Sequence, residues 1–415
     1  MNTNSTETTA MDPVAGETTT ASVAADSVVT ETGAVIDADA GAATDTATED
    51  VAAEVVPEKI IVREQAWRDG RTWIDLPDAD IDRYVDDLSE GAGFDLRRAL
   101  QQWRRDGIVL FEGVVDTGLI DALTSDIDYL RTHYRDFDLL VETSGIQKHI
   151  LDLTIEELNS PGLKFNSIHT ISRAAARLSL TREVSVFLSH VFRDAPCAMQ
   201  SLTFYKGSQQ PIHIDYPYVR CQSPVSHLAA SWIPLEDIHP DSGPLAYYPS
   251  SHREDVSGFF DWGDGSILLE PESVRTPIEL SEYLAERMRS AGVEQRIYCP
   301  SKGDVLVWHG NLSHEGTVIR DAALTRKSYV THYTSLGAYP PAHLKPQAPD
   351  RGWIAREHGG YVFEYSWLSN QNQLPSIELY REFGPPDEPE VASEAMQDDA
   401  PAQPQPQEHD RGTEA

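Results

Sequence analysis

The hexapeptide Pro211-Ile212-His213-Ile214-Asp215-Tyr216 joins a short apolar run to two side chains that can bind a metal ion. Residues two apart in an extended segment point to the same side, so His213 and Asp215 can contact one ion together. Two imidazoles and one carboxylate are the three protein ligands of a facial non-haem Fe²⁺ site. The pattern therefore predicts such a site, and it requires a second histidine from another part of the fold.

The stretch KGDVLVWHGNLSHEGT (302–317) offers two candidates for that histidine. His314 lies just beyond a predicted turn and strand at 303–308, and His309 follows the same strand directly. We prefer His314, because Gly316 follows closely and Arg326 then lies one β-hairpin away. His309 remains the alternative distal ligand, and its other role is that of a hydrogen-bonded histidine at a strand end.

The segment RKSYVTHYTS (326–335) reads as a strand with Arg326 and Ser328 on one face. A guanidinium and a hydroxyl on the same face can bind one carboxylate together. An arginine at a strand start is also commonly a surface charge. The serine two residues later favours a role in binding an organic carboxylate.

The fold prediction extends outward from these motifs. Helical spacing precedes them at 94–106, 116–133 and 182–193, with a strand-like run at 108–115. From about residue 197 the period changes to two, with strands predicted near 197–206, 227–235, 244–248, 295–300, 304–309 and 326–335. The excursion 249–294 carries a helix near 278–290. We predict a mainly β protein with flanking helices, a double-stranded β-helix or jelly roll.

Composition divides the chain into three parts. Residues 1–57 contain eleven acidic residues and no Lys or Arg, and residues 385–415 contain nine acidic residues and one Arg. Neither end has an apolar period, so both are predicted to be disordered acidic tails, the second rich in Pro and Gln. The piece 58–384 is long enough for one large domain, with a jelly-roll core at about 197–336.

The balance of charge limits the possible partners. A net charge of −34 argues against nucleic acid or an anionic membrane as a partner, since both need a basic face. We see neither a secretory signal nor a run of about 20 apolar residues that could span a bilayer. Cys197, Cys221 and Cys299 have unrelated spacings and predict no disulfide framework, so we expect a cytoplasmic setting.

Several blocks of the sequence, taken in order, resemble the phytanoyl-CoA dioxygenase family of Fe²⁺- and 2-oxoglutarate-dependent oxygenases. They are DGIVLFEGVVDTGLIDAL (106–123), HID (213–215), AASWIPLEDIHPDSGPLAYYPSSH (229–252), KGDVLVWHGNLSHEGT (302–317) and RKSYVTHYTS (326–335). The resemblance covers about 95–340. Ser250-Ser251-His252 departs from the family's usual Gly-Ser-His, and the twelve-residue step from His314 to Arg326 is slightly long.

The resemblance implies a ligand set of His213, Asp215 and His314, with Fe²⁺, 2-oxoglutarate and O₂ as cofactor and co-substrates. It implies that Arg326 and Ser328 bind the distal carboxylate of 2-oxoglutarate. Gln200 and Trp232 would lie beside the cofactor or substrate, although Trp232 could equally be a core aromatic.

The implied reaction is hydroxylation of an unactivated C–H bond of a small organic substrate, with release of succinate and CO₂. A cupin-type metal isomerase and a non-catalytic jelly-roll binding module are the alternatives. The substrate and the oligomeric state are not predicted.

Overall fold

A computed structural model of the protein describes residues 61–137, 139–143, 145–222, 224–340, 353–363, 377 and 381. Its α-helices are α1 Glu64–Asp69, α2 Ile81–Asp86, α3 Leu96–Asp106, α4 Thr117–Thr132, α5 Ile155–Leu158, α6 Arg173–Leu178, α7 Arg182–Phe192, α8 Glu254–Ser257 and α9 Pro277–Ala291. Short 3₁₀ helices cover Trp73–Asp75, Tyr134–Asp136, Ile150–Asp152, Ile168–Thr170 and Leu336–Ala338.

The strands are β1 Ile108–Phe111, β2 Leu140–Thr143, β3 Ile146–His149, β4 Lys164–Asn166, β5 Pro196–Phe204, β6 Ala229–Pro234, β7 Leu245–Tyr247, β8 Arg296–Tyr298, β9 Val305–His309, β10 His314–Gly316, β11 Ser328–Ser335, β12 Trp353–Glu357 and β13 Gly360–Phe363. The main sheet runs in the order β1-β9-β6-β11-β5-β4-β2-β3, and β13 adds to β5 in parallel while β12 pairs with β13. A minor sheet of β10-β7-β8 is antiparallel throughout.

The helices that flank the main sheet have caps that the sequence provides. Asp95 accepts a hydrogen bond from the backbone N–H of Arg98 at the start of α3, which ends at Gly107 with a left-handed φ of 74°. Thr276 and Glu279 form a reciprocal capping box at the start of α9. These signals explain why both helices lie within two residues of their predicted bounds.

The two faces of the main sheet are buried against different partners. Alternate residues of β11 place Tyr329 and Tyr333 in a core with the flanking helices. The opposite, interior face carries Trp232, Leu306, Trp308 and Val330, which pack with Leu245 and Tyr298 of the minor sheet. The minor sheet therefore packs against the interior face of the main sheet through these side chains.

The excursion 249–294 covers the segment that carries the histidine–aspartate motif. Ile212, Ile214 and Tyr216 share one apolar cluster with Phe260, Trp262 and three residues of α9, namely Leu280, Leu284 and Met288. Burial of this size stabilises the segment by roughly 1.5–3 kcal/mol for each large side chain. The excursion therefore holds the motif in place from outside.

The predicted mainly β jelly roll with flanking helices is confirmed. The acidic tails predicted at 1–57 and 385–415 lie outside the described residues, and the domain bounds 58 and 384 stay a prediction. Within the part of the chain that the structure describes, none of the helices has the length and apolarity needed to cross a membrane.

Candidate metal centre

The histidine–aspartate segment pairs directly with the distal histidine. His213 and His314 form an isolated antiparallel bridge, in which each backbone N–H donates to the other's carbonyl at 2.9 and 3.0 Å. Their imidazole centroids are 4.2 Å apart as a result. The backbone N–H groups of Asp215 and Tyr216 both donate to the carbonyl oxygen of Gly310, at 3.0 and 3.1 Å. Backbone hydrogen bonds thus bring the three predicted ligands together.

Both histidines have their protons placed by backbone carbonyls. The Nδ1 of His213 lies 2.8 Å from the carbonyl of Pro211, and the Nδ1 of His314 lies 2.9 Å from that of Leu312. A carbonyl can only accept, so each Nδ1 carries the proton and each Nε2 keeps a free lone pair. The fixed tautomer is the one that a metal ion requires at Nε2.

The free ligand atoms converge on one point. Oδ1 of Asp215 lies 3.6 Å from Nε2 of His314 and 4.0 Å from Nε2 of His213. One ligand atom from each of the three residues lies within 4.8 Å of the others, and this is the one such group of three found among the described residues. Two neutral imidazoles and a carboxylate at these separations suit a divalent transition metal.

Burial and neighbouring charges keep His213 and Asp215 in the protonation states that bind a metal ion. Burial, followed by repulsion from His314, lowers the pKa of His213 to about 3, so its imidazole stays neutral. Burial alone would raise the pKa of Asp215, but His314 and His332 hold it below its ordinary value. The carboxyl is therefore an anion at neutral pH.

The second carboxylate oxygen of Asp215, Oδ2, has two contacts of its own. The indole N–H of Trp308 donates to Oδ2 at 2.7 Å, and Nε2 of His332 lies 3.5 Å from the same atom. Neither residue was among the predicted site residues. His332 is an even number of positions from Ser328, so its place on the interior face could have been found from the strand period.

His309, the alternative distal ligand, lies away from this group. Its Nε2 is 3.4 Å from Asp75, and its Nδ1 accepts from the backbone N–H of Asn311 at 3.0 Å. Its ring contacts Trp103 and His252. Both nitrogens are engaged, so His309 has the role of a hydrogen-bonded strand-end histidine.

Arg326 is a buried cation without an ion-pair partner among the described carboxylates. It is only 3 % exposed, its Nη1 donates to Oγ of Ser328 at 2.8 Å, and its Nε has no hydrogen-bond partner among the described residues. Burial lowers its pKa to about 10, against the attraction of Glu236. Its guanidinium lies 5.2 Å from the ring centre of Phe204 and 5.6 Å from that of Trp232. A buried guanidinium with an unused donor fits a bound carboxylate.

The remaining predicted residues lie on the same interior face. Gln200 is half-buried and pairs in register with His332. Trp232 lies in the next row, between Val330 and Leu306, and its ring packs against Tyr298 at 5.9 Å. Trp232 is thus a core aromatic that also contacts Arg326.

Lys164 is a further buried charge near the site. Its Nζ bonds Glu142 at 2.7 Å, and its charge acts on His213 to disfavour protonation. It lies on β4, a three-residue strand that pairs Lys164 with Phe204. No strand was predicted there, because Lys-Phe-Asn has no period to recognise, and Lys164 was missed with it.

The comparisons with known proteins identify the family to which the chain is similar. The family model described as Phytanoyl-CoA dioxygenase (PhyH) matches residues 103–327, more than half of the chain. A Caenorhabditis elegans protein described as "Phytanoyl-CoA dioxygenase domain-containing protein 1 homolog" is 20 % identical over 278 residues, which are 58 % of this chain and 90 % of that protein.

Two solved structures show a more distant likeness. The epimerase SnoN from nogalamycin biosynthesis has a TM-score of 0.44 and 16 % identity, over 65 % of this chain and 97 % of that one. EctD from S. alaskensis in its apoform has a TM-score of 0.44 and 18 % identity, over 70 % and 89 %. From the family match, the chain belongs to the phytanoyl-CoA dioxygenase family, whose members depend on Fe²⁺, 2-oxoglutarate and O₂.

Proposed function

We propose that the chain is a dioxygenase that hydroxylates an unactivated C–H bond of a small organic substrate, with conversion of 2-oxoglutarate to succinate and CO₂. The observation that carries the proposal is Arg326, a buried cation with no ion-pair partner among the described carboxylates. It lies on the face of the sheet that also carries Trp308 and His332, the two residues that contact Oδ2 of Asp215. Ser328 and His332 share the interior side of β11, so the carboxylate-binding pair and the metal group lie along one face of the same strand.

The proposed roles follow from the atoms that the fold leaves free. Nε2 of His213, Nε2 of His314 and Oδ1 of Asp215 hold Fe²⁺. When bound, the metal supplies the activation of O₂ and the oxidation chemistry. Arg326 and Ser328 bind the far carboxylate of 2-oxoglutarate, and Trp232 excludes water from that contact. Gln200 lies beside the co-substrate, opposite His332 in the sheet.

The partner in this proposal is a small molecule, with neither nucleic acid nor a membrane involved. The net charge of −34 supports this, because phosphate backbones and anionic lipids are recognised by basic surfaces. A cytoplasmic setting belongs to the same proposal. It is supported by Cys197, Cys221 and Cys299, which are all free thiols.

Neither alternative function, the isomerase or the binding module, accounts for both the metal ligands and the buried Arg326. A cupin-type isomerase needs a metal group but has no need for a carboxylate clamp beside it. A binding module needs neither the fixed histidine tautomers nor the unpaired guanidinium. Burying a cation costs free energy that a bound carboxylate would help to offset, so Arg326 favours the 2-oxoglutarate enzyme.

An anaerobic titration tests the proposal. Metal-free protein is loaded with Fe²⁺ and then with 2-oxoglutarate, and the visible spectrum is followed for a charge-transfer band that needs both. We expect the band in the wild type and in Arg320→Ala, which changes an arginine whose side chain is 73 % exposed. His314→Ala should abolish it, and Arg326→Ala should weaken 2-oxoglutarate binding by about 10²-fold or more, the cost of losing a charged, buried partner.

The outcomes separate the alternatives. Metal binding without a 2-oxoglutarate-dependent band would favour the isomerase, and no metal binding would favour the binding module. If the band forms, succinate release with candidate substrates in air, and the mass of the product, decide whether the outcome is hydroxylation. A product without an added oxygen atom would overturn that part of the proposal.

A further inference from the structure

His332 is a buried imidazole that the proposed function leaves without a role. It lies on β11 and is 3 % exposed. Its Nε2 is 3.5 Å from Oδ2 of Asp215, while its Nδ1 has no hydrogen-bond partner in the described part of the chain. Burying an imidazole is unfavourable unless its nitrogens find partners. The contact with Asp215 is therefore the interaction that accounts for a histidine at this position.

The sheet register places His332 and Trp308 on either side of one small residue. Ala230 of β6 pairs with His332 on one flank and with Trp308 on the other. The three side chains form a row on the interior face, and Ala230, at the centre of the row, is fully buried. The two outer members of the row reach the same carboxylate oxygen, since Nε1 of Trp308 lies 2.7 Å and Nε2 of His332 lies 3.5 Å from Oδ2 of Asp215.

Two nitrogens on Oδ2 determine which oxygen faces the metal position. Oδ1 is the oxygen nearest to Nε2 of both His213 and His314. A carboxylate that turned both oxygens to the ion would occupy two coordination positions. An octahedral ion would then keep two open positions instead of three, too few for a two-oxygen co-substrate and O₂ together.

We propose that His332 is a positioning residue that, with Trp308, keeps Asp215 a one-oxygen ligand. This inference rests on the proposed function, because it concerns the coordination positions that 2-oxoglutarate needs. It predicts that loss of the imidazole lowers the affinity for 2-oxoglutarate more than the affinity for Fe²⁺. A released Asp215 still binds the ion, but its second oxygen then competes with the co-substrate.

The test compares His332→Leu with His332→Gln, whose amide N–H can replace the ring N–H. Thr334→Val is the matched control, an isosteric change on the same face of the same strand. Fe²⁺ affinity is measured anaerobically by calorimetry with the metal alone. The affinity for 2-oxoglutarate is measured on Fe²⁺-saturated protein from the visible band.

We expect His332→Leu to lose about 10- to 100-fold in affinity for 2-oxoglutarate, the range that residues supporting metal ligands typically contribute. Its Fe²⁺ affinity should change several-fold less, and His332→Gln should recover most of the loss. If the Leu variant does not fold, His332→Asn serves instead, since its shorter amide cannot reach Asp215.

The spectra and affinities of the wild type, His332→Leu and Thr334→Val distinguish failure of the proposed function from failure of the role of His332. If the wild type gives no band, the proposed function fails, and the inference fails with it. If the wild type gives a band and His332→Leu matches Thr334→Val, the proposed function stands and the role of His332 is overturned. An equal loss of Fe²⁺ and 2-oxoglutarate affinity would also overturn it, because that result indicates a damaged site rather than a turned carboxylate.

Discussion

Trp308 contributes an N–H that no other aromatic side chain can replace at its position. Its Nε1 donates to Oδ2 of Asp215 at 2.7 Å inside a fully buried environment. Trp308→Phe keeps most of the packing and removes only this donor. Because Oδ2 of Asp215 then has one fixed contact fewer, we expect the affinity of Fe²⁺-saturated protein for 2-oxoglutarate to fall by about 10- to 100-fold, as measured from the visible band, with a smaller change in Fe²⁺ affinity.

The control for that variant is Trp262→Phe. Trp262 is equally buried, but its Nε1 has no hydrogen-bond partner among the described residues. The same truncation there removes no contact to Asp215, so the affinity for 2-oxoglutarate should stay within about twofold of the wild type. Equal losses in the two variants would mean that indole packing, and not the hydrogen bond to Asp215, supports the ligand.

At the scale of single residues, sequence spacing was enough to predict the three candidate metal ligands. His213 and Asp215 were paired by the two-residue period, and His314 was preferred over His309 for its place before Gly316. The structure brings His213, Asp215 and His314 together and turns His309 toward Asp75. The carbonyls of Pro211 and Leu312, which hold the Nδ1 protons of His213 and His314, could not be predicted from the sequence. They take this role only once the segments that carry the two histidines have paired.

At the scale of elements, the loop from His309 to Ser313 connects β9 to the metal group and fixes the position of Asp215. The carbonyl of Gly310 accepts from both Asp215 and Tyr216, and its own N–H donates to Leu228 at 2.9 Å. A Cβ at Gly310 would lie 2.7 to 2.9 Å from three side-chain atoms of Leu228, closer than real contacts allow. This loop therefore requires glycine because of close approach.

Gly310→Ala should displace the loop and move Asp215 with it. We expect a loss of about 1–3 kcal/mol in the free energy of unfolding, the usual cost of overpacking, together with weaker Fe²⁺ binding. Gly91→Ala is the control, since a Cβ there meets nothing within 4 Å. Urea unfolding and metal titration measure the two effects. Unchanged metal affinity in Gly310→Ala would contradict the proposed coupling of loop and site.

The helices that the sequence predicted are those with a long run of regularly spaced apolar residues or a clear cap. The six predicted strands correspond to β5, β6, β7, β8, β9 and β11, and the predicted helices to α3, α4, α7 and α9. The strands β2, β3, β4, β10, β12 and β13 were missed, and shortness alone is not the reason, since β7 and β8 have three residues each and were predicted. Their place depends on neighbouring strands that local sequence does not encode.

At the scale of the whole molecule, several histidines are buried in the neutral state. Burial lowers the pKa of His169 to about 3, and burial with neighbouring charges lowers that of His213 to about 3 and that of His252 to about 4. The ordinary value in an unfolded chain is about 6.5. Between about pH 6.5 and pH 4 the unfolded chain therefore binds more protons than the folded protein at these three residues.

The sign of the pH dependence follows from this difference. The stabilisation is fully present above pH 6.5 and is lost as pH falls toward the folded-state values. Each histidine lowers the free energy of unfolding by about 1.4 kcal/mol per pH unit in that range. Urea unfolding of metal-free protein at pH 7, 6 and 5 should show the decline steepening below pH 6.5.

One substitution isolates the contribution of a single imidazole. His169→Asn removes a titrating group that lies outside the metal site, bonded at Nδ1 to Ser201. Its absolute stability can be lower, but its slope between pH 6 and pH 5 should be smaller by about one proton. A slope in His169→Asn equal to that of the wild type would show that carboxylates, and not buried neutral histidines, cause the acid sensitivity.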